Sequence, residues 1–264
     1  MKNGRFCVSI VKKYINGRKM NNFIPYTFTK KDVIGLFENE SQYEKWIAKR
    51  IRLKEIARVR NGLYVHIDRT GYAMTTKYEL ATKITEDAFV CYHSALEFFG
   101  VANQVFNIVT VGSEKRFNEF SFHDIDYVRK APNHMIQVMH IVKAAVRITS
   151  LERTVVDCID DVNAAGGIEE ILNALDQIRV LDEDKILETL RAYNKVLLYQ
   201  KVGYVLEHFK EKFKFSDGFF AECQSHLTKQ IKYFLRDEYK SLEFNSKWNL
   251  MAPTKLLSRI YGGY

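Results

Sequence analysis

The chain has 264 residues, of which 47% are hydrophobic and 27% are charged, a composition typical of folded globular proteins and not of disordered segments. No apolar stretch approaches the roughly 20 residues that a membrane-spanning helix needs, and the four cysteines lie too far apart for a zinc or CxxC pattern. Because no signal peptide is recognisable, we expect a cytoplasmic protein with reduced thiols. From the apolar lengths and the cysteine spacing we expect no membrane partner and no metal site, and we also expect no cofactor.

The basic residues are concentrated at the N-terminal end. Residues 1–69 contain 16 Lys and Arg against 6 Asp and Glu, whereas residues 70–264 contain 24 against 26. The net charge of +8 therefore comes from the first quarter of the chain. This concentration favours a polyanionic partner, because Lys and Arg that neutralise phosphates release condensed counterions. We expect two domains, a DNA-binding domain over 1–69 and a second domain over 70–264.

Three helices are predicted in the basic part. Apolar residues recur at a helical period from 5 to 15, and Asn16-Gly17 would end that helix. A second, short helix follows Thr29, which is a good N-cap. A third helix is predicted from Ser41, which begins the S-x-x-E pattern of a capping box.

The third helix carries the residues expected to contact base edges. One arc of its surface is apolar and would pack on the other helices, and the adjacent arc is cationic and polar. A helix with these two faces suits the major groove of DNA. The residues on the polar arc are Gln42, Lys45, Lys49 and Arg52.

A β-hairpin follows the third helix directly. Two predicted strands, 54–59 and 63–67, flank Arg60-Asn61-Gly62, and Asn-Gly is the strongest short hairpin signal. A basic helix followed by a basic hairpin is the order of a winged helix-turn-helix, whose wing reaches phosphate or the minor groove. Arg60 could alternatively be a solvated turn residue. The remaining DNA contacts are expected from Lys30, Lys31, Lys54, Arg58, Arg60 and Asn61.

Residues 70–264 are predicted to form a mixed strand and helix domain with a helical C-terminal half, so the expected fold class is α+β. A near-neutral domain of this kind suits dimerisation, sensing or contact with another protein. The strands are expected at 105–111, 120–128, 135–142 and 145–148, and the helices at 91–99, 149–161, 168–178, from 182, at 201–209 and at 219–239.

One motif suggests an enzyme. Gly112-Ser113, followed after ten residues by Asp124 and Asp126, has the spacing of nucleotidyltransferases, in which the turn holds phosphate and two carboxylates on one strand face hold Mg²⁺. These enzymes also need a third carboxylate on a following strand, and there is no acidic residue between Tyr127 and Glu152. We therefore expect no catalytic residues and keep a Mg²⁺-dependent nucleotidyltransferase as an alternative. Another alternative is a one-component regulator whose C-terminal domain binds a small molecule.

Several short segments, in order, resemble the AbiEi antitoxin family. Residues 51–65 are similar to its helix-to-wing stretch, and Tyr92-His93-Ser94-Ala95-Leu96-Glu97-Phe98-Phe99-Gly100 is similar to a family helix that ends in glycine. Further along, residues 147–157 resemble its "vr.tsleRTl.D" helix start. Gly166-Gly167 and residues 202–207 resemble its "GG" and "lGylLE" segments, so the resemblance covers roughly 27–210.

The resemblance implies the antitoxin of a type IV, abortive-infection toxin–antitoxin pair. Such proteins repress their own operon through an N-terminal winged helix and antagonise a nucleotidyltransferase-like toxin through the C-terminal domain. It follows that the expected partners are double-stranded DNA of the protein's own promoter and a cognate toxin, and that the Gly-Ser…Asp-x-Asp spacing is accidental here. The chain departs from the family in about 25 residues before the helix-turn-helix and in a long helical region beyond Phe209.

Overall fold

A computed structural model describes residues 9–15, 18–235 and 242–253, with side chains from residue 24 onward. The first two elements are strands β1 (Ser9–Ile15) and β2 (Arg18–Ile24), which pair antiparallel from Ser9↔Ile24 to Ile15↔Arg18. The helix predicted over 5–15 is therefore wrong for 9–15, and 5–8 lie outside the described residues. The apolar spacing there was ambiguous, and the Asn16-Gly17 dipeptide is a hairpin signal as well as a helix end.

The next elements have the order of a winged helix-turn-helix. Strand β3 (Thr27–Thr29) leads into helix α1 (Lys30–Val33), a 3₁₀ turn (Ile34–Leu36) and helix α2 (Glu40–Arg52). Strands β4 (Ile56–Arg60) and β5 (Leu63–His66) then form the predicted hairpin. Since β5 also pairs with β3, the sheet order is β3-β5-β4. We call residues 27–66 the winged module.

The caps of the two module helices differ in how well they follow the prediction. At α1, the backbone N–H of Thr29 donates to Asp32 Oδ2 over 2.8 Å, which confirms Thr29 as the start of that helix. At α2, Asn39 Oδ1 accepts from the backbone N–H of Gln42 over 3.0 Å. The capping box predicted at Ser41 is therefore wrong, because Asn39 reaches the free N–H groups two residues earlier.

Strand β5 is buried on both faces. We call the described chain after residue 66 the body. Leu63 and Val65 belong to a cluster with body residues such as Val90 and Val111, whereas Tyr64 packs with Phe28 in the core of the winged module. The alternation of side chains along a strand places these residues on opposite faces of the sheet. The module and the rest of the chain therefore share a hydrophobic core through β5.

The body begins with a six-stranded sheet of order β10-β11-β6-β7-β9-β8. The strand predicted over 120–128 is wrong as a single element, because His123 and Asp124 adopt φ angles of 49° and 61° and turn the chain between two strands. The other predicted strands and the helix near 91–99 are found within three residues of their predicted bounds. The elements are α3 (Lys77–Ala81), β6 (Phe89–Val90), α4 (His93–Phe98), β7 (Ile108–Gly112), β8 (Phe120–Phe122), β9 (Ile125–Lys130), β10 (Val138–Ile141) and β11 (Val146–Thr149).

Six helices follow the sheet in the described chain. Ser150 Oγ accepts from the backbone N–H of Arg153 and caps the first of them, which begins at Leu151 where the sequence predicts a helix from 149. Asp182 caps the third, which begins at Glu183, one residue after the predicted start. The helices are α5 (Leu151–Asp160), α6 (Ile168–Gln177), α7 (Glu183–Tyr193), α8 (Val196–Glu207), α9 (Lys210–Phe213) and α10 (Asp217–Ser225).

The long helix predicted over 219–239 is wrong for 226–235, and 236–239 lie outside the described residues. Helix α10 ends at Ser225, and strands β12 (Lys232–Tyr233), β13 (Leu242–Asn245) and β14 (Leu250–Pro253) form a small sheet of order β12-β14-β13. Trp248, between β13 and β14, is fully buried against Gly203 of α8, where a Cβ atom would overlap the indole ring. Periodicity could not predict this sheet, because the packing of Trp248 on Gly203 joins positions far apart in the sequence.

Among the helices that the structure describes, none is long and apolar enough to cross a membrane.

Candidate nucleic-acid interface

Helix α2 has one buried face and one exposed face, as its sequence predicts. Tyr43 and Ile47 are buried in the core of the winged module, and Trp46 contacts Phe28 and Phe37 with ring centroids 6.2 and 5.4 Å apart. The residues predicted to read base edges, Gln42, Lys45, Lys49 and Arg52, are all exposed. Burial of the apolar arc therefore fixes which side chains α2 presents to solvent.

Four exposed cationic residues on α2 and just after its end form no ion pair with a described acidic side chain. In the part of the chain with described side chains, Lys45, Lys49, Arg52 and Lys54 form no ion pair within 4.0 Å. Lys49 and Arg52 also lie in the last turn, where positive charge stabilises the helix C-terminus. These four residues, which we call the α2 basic patch, leave their charge available to an external anion.

The end of α2 positions Lys54 beside the patch. Lys54 has a φ of 54°, its N–H donates to the carbonyl of Ile51, and the N–H of Glu55 donates to the carbonyl of Arg50, both over 3.0 Å. This is a Schellman cap, which ends the helix and satisfies its last carbonyls. The cap holds the backbone of Lys54 two residues after Arg52 and leaves the Lys54 side chain exposed.

Gln42 is exposed, but both ends of its amide are already bound. Its Nε2 donates to Glu38 Oε2 over 2.7 Å, and its Oε1 accepts from the backbone N–H of Glu38 over 3.3 Å. A hydrogen bond from Gln42 to a base would require the Glu38 contact to break.

The two lysines of α1 are paired with carboxylates. Lys30 forms an ion pair with Glu40 at the start of α2. Lys31 Nζ lies 2.5 Å from Oε1 of Glu86, which belongs to the body. These lysines therefore differ from the α2 basic patch, because an external phosphate would have to compete with an acidic side chain for each of them.

The wing residues point in different directions. Asn61 is exposed at the turn, and Gly62 has the positive φ of 77° that such a turn requires. Arg58 is exposed and lies over the Tyr64 ring at 5.8 Å. The guanidinium of Arg60 instead lies 5.7 Å from the ring of Phe117 and 5.3 Å from that of Phe120. The structure thus turns Arg60 from the wing toward the body sheet.

Sequence reasoning missed cationic residues that the fold brings close to the module. Arg69 lines a surface cavity of about 750 Å³ together with Arg50 and Lys54. On another side, Lys83 and Arg147 of the body face α1 and the wing across a second cavity. Arg69 lies three residues after the end of β5 and could have been predicted as a DNA contact from the sequence. No local pattern links Lys83 or Arg147 to the module.

The geometry needed for the nucleotidyltransferase alternative is not formed by the residues that suggested it. Asp124 lies in the turn and Asp126 on β9, so their carboxylates do not share a strand face. Ser113 is fully buried, and its Oγ lies 2.8 Å from Thr85 Oγ1 and 3.0 Å from Asp87 Oδ1. The glycine-serine pair therefore anchors the loop before β6, and its hydroxyl is not presented to a phosphate.

The body contains a buried ionic group on α5 and α7. Arg153 and Asp157, four residues apart on α5, are paired with Nε and Oδ2 3.3 Å apart. Tyr193 Oη donates to Asp157 Oδ1 over 2.5 Å. Burial raises the pKa of Asp157 to about 6. The group joins α5 to α7 and opens to no cavity large enough for a substrate, since the space around it is about 10 Å³.

No protein-family model matches the chain, and no curated protein matches its sequence. The fold is similar to the crystal structure of the RV2827C protein from Mycobacterium tuberculosis, with a TM-score of 0.62 and 14% sequence identity over 90% of each chain. The likeness shows that the two proteins share a fold over most of their length. At this identity it carries no information about what either chain binds.

Proposed function

We propose that this protein is a cytoplasmic DNA-binding repressor that acts on its own promoter. The observation that carries the proposal is the α2 basic patch: four exposed cations, on or just after the second helix of a winged helix-turn-helix, that form no ion pair with the acidic side chains that the structure describes. This helix is the one that such folds insert into the major groove. Lys49 and Arg52 are placed to contact base edges or phosphates there, with Lys45 and Lys54 beside them.

The salt dependence of binding follows from the number of cations used. If the four side chains of the patch each neutralise one phosphate, log K should fall with log salt concentration at a slope of about −3.6 from these contacts alone. A variant that lacks one phosphate contact should flatten the slope by about one and weaken all sequences alike. Loss of a base contact should instead reduce the preference for the promoter.

A gel-shift titration with the DNA upstream of the gene tests the proposal. The Lys45→Glu/Lys49→Glu variant should bind this DNA at least a hundredfold more weakly than the wild type. The matched control is Arg179→Glu/Lys229→Glu, which changes the net charge equally at two exposed positions far along the chain. If the two double variants lose affinity to the same extent, the α2 basic patch is not the DNA-binding surface.

We further propose that the protein serves as the antitoxin of a type IV pair and counters a nucleotidyltransferase-like toxin. Support comes from the ordered series of family-like segments, four of which lie in the near-neutral body. Two of them form α4 and the start of α5, which together build one side of the body core.

Co-expression with a nucleotidyltransferase-like protein encoded beside this gene tests the antitoxin role. The wild type and the Lys45→Glu/Lys49→Glu variant should both restore growth when transcribed from an unrelated promoter, because the body is expected to act on the toxin. Failure of both to restore growth, with the repressor activity intact, would remove the antitoxin role and leave the DNA-binding role standing.

A further inference from the structure

A cleft of about 850 Å³ separates the winged module from the body. One wall is formed by α1 and the wing turn at Asn61-Gly62. The other wall is formed by residues 82–86, which follow α3, and by His140 and Arg147 on β10 and β11. Its volume lies within the range of pockets that hold small-molecule ligands. No residue of the α2 basic patch lines it, so the cleft is a second feature of the surface.

The lining combines positive charge with an apolar surface. Five cationic side chains face two carboxylates, those of Asp32 and Glu86. The half-buried Ile34 and Ile84 supply apolar surface between them. A cleft with these two properties suits a molecule that has both an anionic group and an uncharged ring. The cationic residues are Lys30, Lys31, Arg60, Lys83 and Arg147.

Two ion pairs cross the cleft, and the lysine belongs to the module in one pair and to the body in the other. Lys31 of the module lies 2.5 Å from Glu86 of the body, and Lys83 of the body lies 3.6 Å from Asp32 of the module. The side chains are between 33% and 81% exposed. Exposed pairs of this kind are held weakly, so their lysines can exchange a carboxylate for another anion at little cost. A phosphate has more negative charge than a carboxylate and would compete well for both lysines.

The other cations of the cleft are less available. Arg147 donates to the carbonyls of Thr82 and Thr85 over 3.1 and 3.3 Å, and Arg60 lies against Phe117 and Phe120. These two residues contribute a fixed positive field and shape the wall. Lys31 and Lys83 are the side chains that can move onto a ligand.

We infer that the cleft binds a small phosphorylated molecule of the size of a nucleoside monophosphate, with Lys31 and Lys83 on the phosphate and the apolar wall against the ring. The inference does not depend on the DNA-binding proposal, because none of its contacts uses the α2 basic patch. Since the two lysines also join the module to the body, an occupied cleft would exchange both cross-cleft ion pairs for contacts with the ligand.

A DNA backbone would use the same positive charge but not the rest of the cleft. Ile34 and Ile84, both half-buried, line the space between the two walls, and a duplex lying across the cleft would leave this apolar surface uncontacted. We therefore assign the cleft to a small ligand, and DNA becomes an outcome of the test.

Isothermal titration of the full-length protein, without DNA, tests the inference. The probes are adenosine and guanosine 5′-monophosphate, with adenosine, guanosine and inorganic phosphate as matched controls. At least one monophosphate should bind saturably and at least tenfold more tightly than its nucleoside and than phosphate. Lys83→Gln should weaken that binding about tenfold, the effect of losing one charge-assisted hydrogen bond, whereas Lys229→Gln should leave it unchanged. Circular dichroism and the melting temperature establish that both variants are folded.

Three results would overturn the inference. The first is the absence of saturable binding of either monophosphate to the wild type. The second is an equal effect of Lys83→Gln and Lys229→Gln. The third is binding of inorganic phosphate as tight as that of the monophosphates, which would leave the apolar wall without a role. If Lys83→Gln weakens binding of promoter DNA while no monophosphate binds, the cleft contacts the DNA backbone and holds no small ligand.

Discussion

At the scale of single residues, the environment of each charged side chain decides what it can do. Lys49 and Arg60 are both cationic residues of the winged module, and the sequence assigns both to DNA. Lys49 is exposed without an acidic partner among the described side chains, whereas Arg60 is held over two phenylalanine rings of the body. A cation over an aromatic ring is stabilised where it lies and is less free to reach phosphate.

The first prediction separates these two roles. Lys49→Ala should weaken binding of promoter DNA about tenfold, which corresponds to one base or phosphate contact of about 1.4 kcal/mol. Arg60→Ala should change that affinity less than threefold and should lower the free energy of unfolding by about 1 kcal/mol through loss of the cation–π contacts. Gel shifts and urea denaturation measure the two effects. An affinity loss for Arg60→Ala as large as that for Lys49→Ala would return Arg60 to the DNA interface.

The second prediction concerns His66, which is 2% exposed at the end of β5. Burial, with a further contribution from Arg50, lowers the pKa of His66 to about 4. The unfolded chain binds a proton near pH 6.5, and the folded chain does not until about pH 4. The stabilising contribution is therefore complete above pH 6.5 and is lost as the pH falls toward 4, by at most about 3 kcal/mol.

His66→Gln should remove this part of the acid sensitivity. Urea denaturation at pH 7.5 and pH 5.0 gives the difference in unfolding free energy for each protein, and the wild type should lose more than the variant. His140→Gln, at an exposed position, should behave like the wild type. If the pH dependence is the same with and without His66, that residue is not the group responsible.

At the scale of elements, helix α2 shows how a local signal can be nearly right. Its exposed and buried faces follow from the spacing of apolar residues, and its position was predicted within one residue. Its cap was assigned to Ser41, because S-x-x-E is a strong local pattern. The structure uses Asn39 instead, and among the described hydrogen bonds the Ser41 side chain makes none that caps the helix.

The third prediction compares the two candidate caps. Asn39→Ala should lower the free energy of unfolding by about 1 kcal/mol, because it leaves an N–H of the first turn without an acceptor. Ser41→Ala should change it by less than about 0.5 kcal/mol, as is usual for surface positions. Chemical denaturation of both variants is sufficient. A larger loss for Ser41→Ala would show that the helix starts where the capping-box pattern indicates.

At the scale of the whole molecule, the winged module is not an appendage. A sheet with one polar face is typical of a wing that stands in solvent, but Leu63-Tyr64-Val65-His66 is buried at every position. Leu63 and Val65 complete the core of the body, and the cleft ion pairs join the same two parts at the surface. A change at the cleft or in β5 should therefore affect both the winged module and the body.

The fourth prediction tests this continuity. Val65→Ala should lower the free energy of unfolding by about 2 kcal/mol, because it removes buried methyl groups from a packed core. Hydrogen exchange should then increase in β6 and β7 of the body as well as in β3 and β5. Phe37→Leu, on the far side of the module, is the control and should affect the module alone. An increase confined to 27–66 after Val65→Ala would show that the two parts unfold separately.

The sequence by itself determined the elements whose signals are local. The periodicity of α2, the Asn-Gly turn of the wing and the cap at Thr29 all depend on residues within a few positions of one another. So does the exposure of Lys45, Lys49 and Arg52, because burial of one helix face implies exposure of the other. The α+β class and the order of the winged helix-turn-helix followed from the same signals.

Tertiary structure alone decided what lies far apart in the sequence. Lys31 meets Glu86 across 55 positions, Arg60 meets Phe117 and Phe120, and Trp248 fills the space above Gly203. No periodicity encodes these contacts, because they depend on how complete elements pack and on which surface each buries. The positive charge of the first 69 residues could therefore be predicted from the sequence. Which of those charges is free to meet DNA, and which lines the cleft, required the fold.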